Sequence, residues 1–303
     1  MAKVTIDNIE IEVPDGTTIL QAARMIGERN KADRHVVPPT MCYYSKLKTS
    51  GGYCRTCIVK VTKGSEKDPR PMPKPVASCR TEVMDGMVVE NVTNAEVLEA
   101  RKGVVEFLLI NHPLDCPICD QAGECHLQDL GFEHGKAGTR YEEERRTYDP
   151  IDIGDKIKLH MNRCILCYRC VFTANQITDK RVHGVMHRGE HAEISTYIEQ
   201  AIDNDFSGNV IDVCPVGALT DRTFRFKSRV WFTKPVDAHR NCENPKCCGK
   251  ATLWLRGDEV FRVTARKDEW GEVQSYEGPQ GSASKPGWIC NTCRFDKKNT
   301  SDW

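Results

Sequence analysis

The chain has 303 residues, and its 43 lysines and arginines balance 43 aspartates and glutamates. Without a net charge it has no field that would attract nucleic acid or an anionic lipid surface, so neither is expected as a partner. Its longest apolar stretch, near residues 104–110, is far shorter than the roughly 18 residues of a membrane span, and the N-terminus has no apolar signal core, so we expect a soluble, cytoplasmic protein.

The first 92 residues have the pattern of a compact α+β unit. Alternating apolar residues predict a β-hairpin over residues 4–13. Thr17 or Thr18 is placed to cap the helix that follows. Short strands are predicted near residues 58–61 and 87–92, where the unit ends.

Shorter pieces follow in the rest of the chain. Thr93 and Glu96 form a capping-box pattern, and the helix that they begin ends before His112. One clear hairpin is predicted over residues 252–264, turning at an Arg-Gly-Asp sequence that we interpret as turn chemistry. The predicted domains are 1–92, 93–132, a linker over 133–156, 157–228, and a short segment over 229–303.

Cysteine is the outlying residue type, with 16 copies. In a reducing compartment, cysteines at short regular spacing bind metal more often than they form disulfides. Hydrophobic residues make up only 39% of the chain. Metal ligation could replace part of a missing core, because ligation free energy is also folding free energy.

The first cysteine group consists of Cys42, Cys54, Cys57 and Cys79. Two cysteines at i and i+3, preceded by two glycines, allow a tight loop to wrap a cluster, and a distant fourth cysteine closes the site. This approaches the plant-type [2Fe–2S] pattern C-x4-C-x2-C…C. The first gap here is 11 residues rather than four, so a four-cysteine zinc site and buried free cysteines are the alternatives.

The second group has the spacing H-x3-C-x2-C-x5-C. Its members are His112, Cys116, Cys119 and Cys125. The spacing alone also fits a zinc site with three cysteines and one histidine. If the metal is iron–sulfur, a neutral imidazole in place of a thiolate removes one negative charge, and the potential should rise as it does in Rieske centres.

The third group gives the strongest signal. It contains Cys164, Cys167, Cys170 and the Cys214-Pro215 pair. C-x2-C-x2-C with a distant Cys-Pro is half of a two-cluster bacterial ferredoxin. The other half is missing, because Ala174, Asn204, Ser207 and Val210 stand where its cysteines would be. The four cysteines therefore predict a single [4Fe–4S] cluster, with a zinc site as the alternative.

The fourth group has irregular spacing and a histidine three residues before its first cysteine. Its candidate ligands are His239, Cys242, Cys247, Cys248, Cys290 and Cys293. A further [4Fe–4S] cluster, a zinc site formed by Cys242, Cys247, Cys290 and Cys293, and no metal at all are the alternatives here.

In this order the motifs resemble the N-terminal iron–sulfur part of the large subunit of respiratory complex I, the 75-kDa-type subunit of NADH:quinone oxidoreductase. The resemblance covers nearly the whole chain. It is carried by the runs HPLDCPIC at 112–119, MNRCILCYRC at 161–170, and FSGN…CPVG within 206–217.

The resemblance implies an α+β fold in four parts. These are a [2Fe–2S] ferredoxin-like β-grasp domain, a small helical module with one histidine and three cysteine ligands, a bacterial-ferredoxin-like [4Fe–4S] domain, and a short β-rich metal-binding C-terminal segment. It assigns one [2Fe–2S] cluster to the first group and one [4Fe–4S] cluster each to the second and third, with the fourth metal ([4Fe–4S] or zinc) left open. It also places the chain in the peripheral arm of a membrane-associated complex, at the inner face of the cell membrane.

Two departures from the family pattern bear on these expectations. Family members continue into a large molybdopterin-like domain, whereas this sequence stops ten residues after Cys293, so we expect no molybdenum chemistry. Some members bind a further cluster through C-x2-C-x3-C…C. The spacing from Cys242 to Cys248 does not fit that pattern, although Cys290 falls where the last ligand would be.

The function implied is that of a relay. The sequence has no G-x-G-x-x-G after a strand and no P-loop, so no nicotinamide, flavin or nucleotide site of its own is expected. The resemblance implies that a flavin-bearing, NADH-oxidising partner supplies single electrons, which this chain passes towards quinone-side iron–sulfur subunits. The alternatives are a diaphorase subunit of an NAD-linked hydrogenase or formate dehydrogenase, and a zinc-binding interaction protein.

Overall fold

The computed structural model describes residues 1–177, 183–196, 202, 204–276 and 285–303. These residues form two compact units. The first unit contains residues 1–43, 51–110 and 129–144, and the second contains residues 44–50, 111–128 and 145–303. Among the described residues, none of the helices combines the length and the hydropathy of a membrane span.

The secondary-structure elements are short. The α-helices of the described residues are α1 (Ile19–Arg29), α2 (Ala95–Leu109), α3 (His126–His134), α4 (Arg169–Ile177) and α5 (Asn209–Val213). The strands are β1 (Ala2–Ile6), β2 (Ile9–Val13), β3 (Ile58–Lys63), β4 (Val76–Ala77), β5 (Met87–Glu90), β6 (Ile157–Leu159), β7 (His183–Met186), β8 (Glu193–Thr196), β9 (Leu219–Asp221), β10 (Lys234–His239), β11 (Lys250–Arg256), β12 (Glu259–Ala265), β13 (Ser275–Tyr276) and β14 (Lys285–Pro286).

The first unit contains a five-stranded mixed sheet in the order β2-β1-β5-β3-β4. The predicted hairpin is confirmed as β1 and β2, which pair antiparallel, while β1 pairs parallel with β5. The predicted helix is confirmed as α1, and Thr18 caps it through a capping box with Gln21. Four of its apolar residues are fully buried in the same core as the strands, namely Ile19, Ala22, Ala23 and Ile26.

The start of α2 differs from the prediction. Its cap is Asn94, whose side-chain oxygen accepts a hydrogen bond from the Val97 backbone N–H at 3.1 Å. The predicted cap, Thr93, instead donates its hydroxyl to the carboxylate of Asp7 at 2.6 Å. The predicted capping box of Thr93 and Glu96 is therefore wrong, because a buried carboxylate from the distant β1–β2 turn has taken the threonine hydroxyl.

A buried arginine fixes α2 to the first cysteine group. Arg101 is fully buried and donates to the backbone carbonyls of Thr56 and Ile58, each at 3.0 Å. It also donates to the side-chain oxygen of Asn91. Since Thr56 and Ile58 flank Cys57, the guanidinium fixes the backbone on both sides of that thiol. An unmade hydrogen bond at a buried carbonyl costs about 1–3 kcal/mol, so this contact constrains the loop strongly.

The second unit contains small separate sheets. These are β6-β9, β7-β8, β13-β14 and the three-stranded β10-β11-β12. The predicted hairpin over residues 252–264 is confirmed as β11 and β12. Strand β10 was not predicted, because its mostly exposed sequence KPVDAH has no alternation of buried and exposed residues.

The short helix α5 is held by the last segment of the chain. The carboxylate of Asp212 and the guanidinium of Arg294 form an ion pair in which both side chains are 1% exposed. The side chain of Asn209 accepts from the Ile289 N–H at 3.2 Å and donates to the Ile289 carbonyl at 2.8 Å. Because α5 leads directly into Cys214, these contacts position the last ligand candidate of the third group.

Candidate metal centres

The first group lies in the first unit as two pairs of thiols, and all four are buried. The Sγ atoms of Cys57 and Cys79 are 3.4 Å apart, and Cys42 and Cys54 form the other hydrogen-bonded pair. The hydrogen bond from Cys42 lowers the pKa of the Cys54 thiol to about 5. The bond from Cys57 likewise lowers the pKa of Cys79. Each pair thus favours one thiolate, which is the form that binds metal.

Two glycines shape the loop of the first group. Gly51 and Gly52 have φ angles of +102° and +91°, in the left-handed region that favours glycine. A Cβ atom on Gly51 would lie 3.2 Å from the Cys79 Sγ. Two thiol pairs around a glycine loop fit a binuclear cluster, in which two bridging sulfides and two thiolates complete the tetrahedron around each iron. The donor set therefore fits a [2Fe–2S] group.

The second group contains a neutral histidine and two buried thiols. Burial, assisted by the charge of Arg163, lowers the pKa of His112 to about 4. Its Nδ1 atom is buried and has no hydrogen-bond partner among the described residues. Cys119 and Cys125 are buried, while Cys116 is exposed. A neutral imidazole with an unpaired buried nitrogen fits a metal ligand, since metal binding requires the neutral form.

The second group packs directly against the backbone that follows Cys214. The Cys125 Sγ lies 3.8 Å from the carbonyl oxygen of Pro215, which also accepts a hydrogen bond from the His126 N–H at 3.2 Å. A Cβ atom on Gly217 would overlap the Cys119 Sγ. Only glycine leaves that thiol room at this position. The loop 214–217 therefore lines one side of the second group and contacts Cys119 and Cys125.

The third group surrounds a small, mainly apolar cavity. Its four thiols all line the cavity, which is closed by apolar side chains of β6, β8 and β9. Leu166 and Tyr168 have φ angles of +52° and +61°, so the loop between the cysteines is wound into the left-handed region despite carrying side chains. Burial raises the pKa of Cys164, Cys170 and Cys214. A positively charged group would be needed to hold them as thiolates, and the core of an iron–sulfur cluster would supply such a charge.

A buried arginine, Arg163, lies in the sequence between the second group and the third group. The guanidinium of Arg163 donates to the Asp115 carboxylate at 2.9 and 2.8 Å. Burial raises the pKa of the Cys119 thiol, and the positive charge of Arg163 opposes part of that rise. Sequence reasoning missed the roles of Arg163 and Gly217, although both lie within the runs that carried the resemblance.

The fourth group brings four of its six candidate residues together. The ligand atoms of Cys242, Cys247, Cys290 and Cys293 all lie within 4.8 Å of one another. Cys248 stands apart, and its Sγ accepts from the Lys250 N–H at 3.4 Å. His239 is an exposed residue at the end of β10.

Comparison with protein-family models gives three matches along the chain. Residues 1–94 match a 2Fe-2S iron-sulfur cluster binding domain, and residues 101–140 match the NADH-ubiquinone oxidoreductase-G iron-sulfur binding region. Residues 154–220 match the ferredoxin-like domain of NADH-quinone oxidoreductase subunit 3. The three matches contain, in order, the first, second and third groups.

Curated relatives are similar over most of this chain. The G-type subunit of NADH-quinone oxidoreductase from Rickettsia bellii is 44% identical over 272 residues, which are 89% of this chain and 37% of the relative. Its counterpart from Rickettsia typhi is 45% identical over 97% of this chain and 39% of its own length. The mitochondrial iron-sulfur protein 1 of NADH dehydrogenase from Solanum tuberosum is 40% identical over 88% of this chain and 34% of its own length. The chain thus spans little more than a third of these relatives.

A solved structure shares the fold. A chain of an NAD+-reducing [NiFe]-hydrogenase in the H2-reduced state superposes with a TM-score of 0.63 at 23% identity. The match covers 76% of this chain and 91% of the hydrogenase chain.

The close approach of Gly217 to the Cys119 sulfur can be tested by substitution. In Gly217→Ala the new methyl group would overlap the Cys119 sulfur, so we expect the second group to lose its metal and the iron content to fall by about four per chain. The φ angle of Gly217 lies outside the left-handed region, so lack of space alone causes the effect. Gly103→Ala, on α2 with no atom within 4 Å, is the control and should keep its iron. Unchanged iron in Gly217→Ala would contradict the packing described here.

Proposed function

Because the chain is a homologue of the N-terminal part of the G-type, 75-kDa-type subunit of NADH-quinone oxidoreductase, we propose that it is an electron-transfer protein that holds three iron–sulfur clusters. The [2Fe–2S] cluster is held by Cys42, Cys54, Cys57 and Cys79. One [4Fe–4S] cluster is held by His112, Cys116, Cys119 and Cys125, and the other by Cys164, Cys167, Cys170 and Cys214. Bound clusters of this kind accept and release single electrons at potentials set by charge, hydrogen bonds to sulfur and burial.

The observation that supports the relay most directly is the shared loop between the second and third groups. Cys214 faces the third group, while the carbonyl of the next residue, Pro215, lies against the Cys125 Sγ of the second. One peptide unit therefore separates a ligand of one group from a contact with a ligand of the other. Electron transfer between two centres requires this kind of proximity, whereas independent structural metal sites do not.

The ligands of the two sites differ in charge. The second group has one neutral ligand candidate, His112, which carries one negative charge fewer than a thiolate and so favours the reduced, more negative state. Arginines act on both groups, Arg163 on Cys119, and Arg146 and Arg169 on Cys164 and Cys214, so they do not distinguish the two. The third group has four thiols in an apolar cavity. On this basis we propose that the second group has the higher potential of the two.

The proposed setting is the peripheral arm of NADH:quinone oxidoreductase at the inner face of the cell membrane. There a flavin-bearing, NADH-oxidising subunit would supply electrons, and quinone-side iron–sulfur subunits would accept them. A second candidate is the same relay in an NAD-linked hydrogenase. The observation in its favour is that a chain of an NAD+-reducing hydrogenase shares the fold. Copurification from its own cells distinguishes the two by the catalytic subunit that accompanies the chain.

Metal content and electron paramagnetic resonance test the relay. Protein purified without oxygen should contain about ten irons in three clusters, from one [2Fe–2S] and two [4Fe–4S] clusters. Cys170→Ser should lose one [4Fe–4S] signal and keep the [2Fe–2S] signal, because the ligand sets are separate. Two irons or fewer, together with several zinc ions, would show that the chain is a zinc scaffold instead.

Ligation by His112 has its own test. His112→Cys adds a thiolate, so the cluster should assemble but its midpoint potential should fall, on the order of 100 mV or more. His160→Cys is the control, since His160 also lies beside Asp115, with its Nε2 3.7 Å from the carboxylate. A redox titration followed by spectroscopy measures both variants. An unchanged or raised midpoint in His112→Cys would show that His112 does not bind the cluster.

A further inference from the structure

Four of the five thiols of the fourth group lie close together. The Sγ atom of Cys242 is 3.6 Å from those of Cys290 and Cys293, and the Sγ of Cys247 is 3.8 Å from that of Cys293. Disulfide bonds would need about 2.05 Å between sulfurs, so these are four free thiols.

These distances match a single tetrahedral ion. Four thiolates bound to zinc at about 2.3 Å form a regular tetrahedron with an edge of about 3.8 Å. In a [4Fe–4S] cluster each thiolate binds a different iron, which sets the sulfurs farther apart and leaves space between them. The third group encloses such a space. Among the described residues, the fourth group is the one that has four ligand atoms all within 4.8 Å of one another.

We propose that Cys242, Cys247, Cys290 and Cys293 bind one zinc ion in a closed, four-thiolate structural site. It is independent of the proposed relay, because none of its ligands belongs to the first three groups. Four protein ligands leave no open coordination position, as in structural rather than catalytic zinc sites.

Backbone groups are arranged to support the negative charge of such a site. The Cys290 N–H donates to the Cys247 Sγ at 3.3 Å, and the Cys293 N–H approaches the Cys290 Sγ at 3.5 Å. Sulfur atoms that accept backbone hydrogen bonds are stabilised as thiolates. The donors come from the same short turn that supplies two of the ligands.

The residues between and after the second pair of ligands attach this turn to α5. The Asn291 side chain accepts from the Gly208 N–H at 3.0 Å and donates to the Ser207 hydroxyl at 2.9 Å. Arg294 forms its buried ion pair with Asp212. The zinc ion would therefore fix the turn that holds α5, and α5 ends beside Cys214. The role of the zinc ion is to stabilise the helix α5 and, through it, the position of Cys214 in the third group.

Zinc content and zinc-edge X-ray absorption of the full chain test the proposal. We expect about one zinc per chain, surrounded by about four sulfurs at about 2.3 Å with no iron neighbour. Counting iron and sulfide in the same sample tests the relay separately. No zinc with about fourteen irons, a single extra iron in place of zinc, or a zinc bound mainly by oxygen or nitrogen would each overturn the proposal.

Two variants and a control assign the ligands. Cys290→Ser and Cys293→Ser should lose the zinc and become more susceptible to proteolysis after residue 229. Cys248→Ser removes the neighbouring buried thiol that points to Lys250, and it should keep the zinc. Zinc retained in Cys290→Ser, or lost in Cys248→Ser, would contradict the ligand set. If the serine variants fail to fold, the absorption spectrum of the unaltered chain still decides the question.

Discussion

The loop Cys214-Pro215-Val216-Gly217 is the constraint on which the second unit depends. Cys214 faces the cavity of the third group, the Pro215 carbonyl receives the His126 N–H, and Gly217 leaves room for the Cys119 sulfur. A shift of this loop would therefore disturb two sets of candidate ligands at once. The loop follows α5 directly. Its position is therefore set by the contacts of Asn209 with Ile289 and of Asp212 with Arg294.

Ion pairs between a buried arginine and a partly buried carboxylate position the segments that carry candidate ligands. Arg163 pairs with Asp115 beside the second group, and Arg262 of β12 forms a bidentate pair with Glu124 at 2.6 and 2.9 Å. Glu124 immediately precedes Cys125. Buried ion pairs give little net stability, because desolvation offsets their attraction, but breaking one leaves a buried charge without a partner. We infer that these pairs mainly select one arrangement of the ligand segments.

The sequence could define the candidate ligand groups because a metal-binding loop is a local structure, and the three family models match the segments that contain the first three groups. Cysteines at i and i+3 must wrap one site whatever the rest of the chain does, and the β1–β2 hairpin and α1 likewise follow from local periodicity. What failed depended on distant residues. Thr93 donates its hydroxyl to the Asp7 carboxylate, which is 86 residues away in the sequence, and Asn94 caps the helix instead. The need for glycine at 217 arises from a thiol almost one hundred positions earlier.

The most direct test of the central claim is magnetic coupling between the second and third groups, measured by electron paramagnetic resonance in fully reduced protein. Two paramagnetic clusters separated by the Cys214–Gly217 loop should split or broaden each other's signals, and the splitting should disappear when a partial reduction leaves only one of them paramagnetic. Two fully reduced [4Fe–4S] signals with no interaction would contradict the shared loop and, with it, the proposed relay through this unit.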